Sequence, residues 1–125
     1  MQRAMTITAP ADTIREALDR AKGSQIAARL TDALDTLGPR TGSLAEWMAS
    51  MDGRTVDTVQ VTAFGAWAPL GRVVNASRAT YVTLGGSRRD YRGTRVVGVS
   101  DRAILVELTD GGETGAVLYV DAGPA

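Results

Sequence analysis

The C-terminal stretch from Arg95 to Asp121 constrains the fold of this chain more than any other part. Arg95 to Val99, Arg102 to Thr109 and Thr114 to Asp121 read as three successive strands. Ser100-Asp101 and Asp110-Gly111-Gly112-Glu113 supply the turns. A two-residue turn at Ser100-Asp101 sets Val99 opposite Arg102 and Val97 opposite Ile104. A turn at Gly111-Gly112 sets Val106 opposite Val117 and Ile104 opposite Tyr119. Successive side chains on a strand point to opposite faces. One face then collects Val97, Val99, Ile104, Val106, Leu108, Val117 and Tyr119, and the other Val96, Ala103, Leu105, Leu118 and Val120. A one-residue slip would exchange the faces of a strand and leave both apolar.

A sheet that is apolar on both faces needs cover on both. The front half of the chain offers helices for one. Pro10-Ala11-Asp12 opens a helical segment with Ile14, Ala17, Leu18 and Ala21 at helical spacing, and Gly23 is its stop. Ser24 caps a second helix with the stripe Ile26, Leu30, Ala33, Leu34 and Leu37, ended by Gly38-Pro39. Ser43-Leu44-Ala45-Glu46 is a capping box for a third, which turns Leu44, Trp47, Met48 and Met51 inward and stops near Gly53. Thr55 to Ala63, Leu70 to Asn75 and Ala79 to Leu84 then read as strands. Three helices assigned to one face leave the second bare. The expectation is therefore an α+β domain: about three N-terminal helices, then a five- to six-stranded, mainly antiparallel sheet or small SH3-like barrel, with the bare face closed into the barrel or docked on a partner. No linker, repeat or low-complexity tract divides residues 1–125, so one domain is expected, helical over about 10–53 and β over about 55–121.

Composition limits the chemistry. The chain has no His and no Cys. Imidazole and thiol catalysis, disulfides and the usual zinc ligands are all excluded. GxGxxG, GxxxxGK[ST], GxSxG, EF-hand and HExxH patterns are absent. No catalytic set, metal or cofactor is expected. Met1 to Ile7 has no apolar signal-peptide core, and no apolar run approaches the length of a membrane span, so a cytoplasmic location is expected, or a virion if the source is a phage. Thirteen Arg against the single Lys22, with abundant Ala, Gly and Val, suggest a GC-rich bacterial or phage genome.

Charge is balanced overall but segregated along the chain. From Arg72 to Arg102 seven Arg face two Asp; from Ala103 onward there are four acids and no base. The loop Gly85 to Arg95 concentrates Arg88, Arg89, Tyr91, Arg92 and Arg95 between flexible glycines. Arginine forks suit phosphate or carboxylate, and Tyr91 can stack on a base. The plainer reading is a solvated hairpin loop. Trp67, between Gly65 and Pro69, is either a loop-borne binding anchor or a core residue. Glu107 interrupts an apolar strand, with Arg95 and Asp57 as its possible companions in catalysis. Helices followed by an antiparallel sheet resemble the small microbial ribonucleases, which use a sheet Glu with an Arg. Those enzymes also use a His as general acid, which this chain lacks, and no further motif matches.

Three functions follow as expectations. The first is a non-catalytic interaction or assembly module: a small structural subunit of a larger complex, homo-oligomeric or phage-type, whose basic loop and acidic end complement each other between copies. The second is a nucleic-acid-binding module using residues 85–95. The third is a His-free, nuclease-like enzyme built on Glu107.

Overall fold

The computed structural model describes residues 3–21, 23–38, 42–62, 70–73, 94–108 and 115–124. Three helices precede five strands: α1 (Arg3–Arg20), α2 (Gln25–Leu34), α3 (Leu44–Ser50), β1 (Arg54–Thr62), β2 (Leu70–Val73), β3 (Thr94–Val99), β4 (Ala103–Leu108) and β5 (Gly115–Pro124). The strands form one antiparallel sheet in the order β2-β1-β5-β4-β3. The α+β order matches the expectation. The barrel does not: among the described residues the sheet is open, with β2 and β3 at opposite edges.

Of the two expected forms, the sheet and not the barrel is seen, because the helices do not share one face. Ile14, Ala17 and Leu18 of α1 and Ala27, Leu30, Ala33 and Leu34 of α2 pack on Val59, Val61, Ala103, Leu105, Ala116, Leu118 and Val120. Helix α3 crosses to the other side. Its Leu44, Trp47 and Met48, with Met51 just beyond, pack on Val56, Ile104, Val106, Val117 and Tyr119. Each apolar face is thus covered from within the chain, and neither closure nor a partner is needed to bury these residues. Strand β5 lies between both layers, so all five residues from Ala116 to Val120 are buried. A continuous buried run of this kind marks a central strand covered on both faces.

Local chemistry explains most element ends. The Ser24 hydroxyl accepts from the Ala27 amide at 3.3 Å, and the Ser43 hydroxyl from the Glu46 amide at 3.1 Å, as N-caps do. Helix α1 runs through Pro10 from Arg3 instead of starting there. Proline's fixed φ is itself helical, so Pro10 marks where a helix is able to begin, not where it must. Gly23 adopts φ +95°, and there the chain turns from α1 into α2. Helix α2 ends before Leu37. The Thr36 hydroxyl donates to the Ala33 carbonyl at 2.7 Å, a local bond that competes with the helical ladder. Leu37 still reaches the core from the segment that follows.

The β3–β4 connection departs from the expected register. Val99 pairs with Ile104, not Arg102, and a bulge falls between Val96 and Gly98. The bulge exchanges two side chains: Val97 joins the α1/α2 core and Val96 the α3 core. At the turn the Ser100 amide donates to the Ala103 carbonyl at 2.8 Å. The Ser100 hydroxyl accepts from the amides of Arg102 and Ala103. At Gly98 a Cβ would lie 3.2 Å from Leu37 Cβ, so its absence lets the α2–α3 connection approach β3. There the Gly38 amide donates to the Val99 carbonyl at 3.0 Å. Between β4 and β5 the expected pairs Val106–Val117 and Ile104–Tyr119 are formed. The expected strand over 79–84 and the turn over 110–113 lie outside the described residues.

Candidate functional site

The arrangement with most chemical content was not assembled from the sequence. Asp57 lies on β1 in phase with Val59 and Val61, so its side chain shares their inward face. It is fully buried. An unpaired carboxylate there would be strongly destabilising. Two arginines meet it. Arg72, opposite Asp57 on the edge strand β2, donates its Nε–H to Asp57 Oδ1 at 2.7 Å. Arg29 of α2 places its Nε 3.1 Å from Asp57 Oδ2. This second contact is an ion pair without hydrogen-bond alignment: neither Arg29 Nε nor Asp57 Oδ2 has a hydrogen-bond partner. The hydrogen bond to Asp57, and then its charge, push the Arg72 guanidinium above its ordinary value. One carboxylate and two guanidiniums leave a single excess positive charge. The arginine side chains are 39% and 44% exposed while the carboxylate is sealed, so the surface meets the positive side of the cluster.

The expected Glu107 constellation separates into pairs. Arg95 and Glu107 are direct cross-strand partners on β3 and β4, and Arg95 Nη2 donates to Glu107 Oε1. Asp57 is not with them. Glu107 aligns through Ala116 with Val61, four residues along β1 from Asp57 and two strands away. That is about 13 Å along the strands and about 10 Å across them. The companions of Asp57 are Arg29 and Arg72, not Glu107 and Arg95.

A third pair closes the far end of the sheet. Arg54 Nε donates to Asp121 Oδ1 at 2.8 Å, and the Gly123 amide donates to the same oxygen at 3.0 Å. Burial alone would raise the Asp121 carboxyl. The Arg54 hydrogen bond, the Gly123 amide and the charges of Arg54 and Arg102 outweigh it and hold this carboxyl below the ordinary carboxylate range.

Trp47, expected in the core, is buried on α3, and its Nε1–H donates to the Ser100 carbonyl at 3.1 Å. Of the expected contact residues Arg88, Arg89, Tyr91, Arg92, Arg95 and Trp67, the structure describes Arg95 alone; the others lie outside the described residues. Their anchors are defined. Val73 pairs with Val56 near the start of β1, whereas Thr94 aligns through Leu108 and Gly115 with Thr62 at its end. Val73 and Thr94 therefore stand at diagonally opposite corners of the described sheet. Among the described residues no group of three or more acidic side chains is arranged to hold a metal ion. No described helix is long and apolar enough to cross a membrane. An open hollow of about 340 Å³ between α1 and α2 is lined by Leu18, Asp19, Gly23, Ser24, Ala27, Ala28, Thr31 and Asp32. The Thr31 hydroxyl in it is already spent on the Ala27 carbonyl.

Comparison with known proteins finds no matching family model, no matching curated protein and no matching solved structure.

The signal for the Asp57 cluster was present in the sequence as an acid in phase with inward valines. The identities of its partners were not, because Arg29 and Arg72 are 28 residues before and 15 residues after their counterpart.

Proposed function

We propose that this chain is a non-catalytic interaction module, a small structural subunit that works by charge-guided contact with further copies of itself. One observation carries the reading: among the described residues, every carboxylate that is buried or half-buried is engaged by arginine. Asp57 has Arg29 and Arg72, Asp121 has Arg54, and Glu107 has Arg95. A general acid or base must be free to exchange a proton with a substrate, and these groups are committed to ion pairs. What remains for a partner is surface charge. The stretch from Arg72 to Arg102 carries the excess of arginine, with seven Arg against two Asp.

The contact does not run through the apolar sheet faces, which the helices cover. The described parts of the sheet edges do not favour it either. Strand β2 carries Arg72, while β3 is bulged and met at Val99 by Gly38. Such features discourage edge-to-edge pairing. Charge complementarity between the arginine stretch of one copy and the acids Asp110 and Glu113 of another supports the reading. Part of the charge is already spent inside the chain, since Arg95 and Arg72 are paired and so are Glu107 and Asp121.

Light scattering over a micromolar concentration series tests the proposal. The mass is expected to rise with concentration and to fall on adding salt, because exposed charges are screened over about 8–10 Å at physiological ionic strength. A single-chain mass at every concentration and salt overturns self-assembly. Arg88→Ala with Arg89→Ala is expected to shift the association toward single chains.

A further inference from the structure

The geometry points to the Arg29–Asp57–Arg72 cluster as a binding site for a phosphate group. This goes beyond the contact reading and stands without it. Three observations converge. First, Asp57 is sealed and meets both guanidiniums at their Nε atoms, and among the described residues no further partner of their terminal amino groups is seen. Second, two guanidiniums against one carboxylate leave a net positive charge where both arginine side chains are partly exposed. Third, Arg72 is fixed by an aligned hydrogen bond while Arg29 is not. The Arg29 contact with Asp57 is an ion pair, so its fork is able to turn to a ligand without breaking a hydrogen bond at Nε.

The ligand class follows from the donors. Guanidinium forks bind planar or tetrahedral oxyanions bidentately. A carboxylate has two oxygens and saturates one fork. A phosphate group has at least three free oxygens and bridges two forks at once. Its charge of about −1.5 to −2 at neutral pH exceeds the single positive charge of the cluster, whereas a carboxylate only matches it. Asp57 both orients the arginines and weakens the field they present, so the site is suited to reversible binding.

The test is a titration of the whole chain with inorganic phosphate, followed through the Arg29 and Arg72 Nε–H resonances and the melting temperature. Sodium chloride and sodium acetate at matched ionic strength are the controls. Phosphate is expected to shift both resonances saturably and to raise the melting temperature, with acetate at least tenfold weaker. Arg29→Gln leaves the Arg72–Asp57 hydrogen bond in place and is expected to weaken phosphate binding at least tenfold. Arg29→Lys, which keeps the charge and removes the fork, is expected to recover only part of it. Melting in chloride establishes that both variants are folded. Equal responses to phosphate and chloride, or undiminished phosphate binding by folded Arg29→Gln, overturn the proposal. Neither result bears on self-association, which light scattering reads separately.

Discussion

Asp121 shows how much of the electrostatics is local, because its main partners are the one arginine that opens β1 and an amide two residues away. Its carboxyl is held below the ordinary value near 3.8, so the folded state binds its proton less readily than the unfolded chain does. The resulting stabilisation is complete above the ordinary carboxylate range and is lost as pH falls through the lowered value. Denaturant melts below about pH 4 are expected to show this loss, and Asp121→Asn is expected to flatten the slope in that window. A pH dependence unchanged by the substitution contradicts the assignment. At Gly98 the constraint is steric. An added Cβ meets Leu37 Cβ at 3.2 Å and the Gly38 carbonyl at 3.4 Å. Gly98→Ala is expected to cost about 1–3 kcal/mol by forcing the α2–α3 connection off β3, measured as a lower urea midpoint.

Among the elements, α2 and α3 divide the covering of the sheet between its two faces, and substitutions in them should fail differently. Leu30 is fully buried between α2 and the sheet. Leu30→Ala removes that side chain from a packed layer and is expected to cost about 2–5 kcal/mol, read by chemical denaturation. Ser43→Ala removes only the α3 cap, at a cost of about 1 kcal/mol. Helix α3 is seven residues long, too short to hold itself, and is kept in place by its apolar side chains and by the Trp47–Ser100 hydrogen bond. Met48→Ala combined with Trp47→Ala is therefore expected to loosen α3 and bare the face around Ile104, Val117 and Tyr119. The measured signs would be dye binding to apolar surface and association that salt does not reverse. Salt-reversible association in the native chain would distinguish the charge-guided contact from this apolar exposure.

The whole molecule depends on β5. This last strand pairs with β1 on one side and β4 on the other, and it meets α1/α2 on one face and the α3 layer on the other. Truncation before Gly115 is expected to abolish cooperative unfolding altogether, because it removes the middle of the sheet and takes residues from both cores, Ala116, Leu118 and Val120 from one and Val117 and Tyr119 from the other. Pairing β1 with β5 also joins segments more than fifty residues apart. Long-range pairing of this kind slows folding, and refolding in the millisecond-to-second range is expected by stopped flow.

The sequence by itself determined what depends on near neighbours. Caps at Ser24 and Ser43, the inward stripes of the helices and the alternation along β4 and β5 were all legible, since backbone period and side-chain capping act over a few residues. It also carried the exclusion of imidazole and thiol chemistry, and the presence of an acid on an inward face of β1. Tertiary structure alone decided the rest. Whether α3 lies with α1 and α2 or across the sheet from them has no local signature, yet it replaced an expected barrel or docked face with an open, fully covered sheet. The bulge at Gly98 is of the same kind: Leu37 and Gly38 pack beside it, and it exchanged the faces of Val96 and Val97. The partners of Asp57 were fixed by the pairing of β1 with β2 and the seating of α2. A buried charge must find its counter-charge in space, and only the fold says which arginines are near.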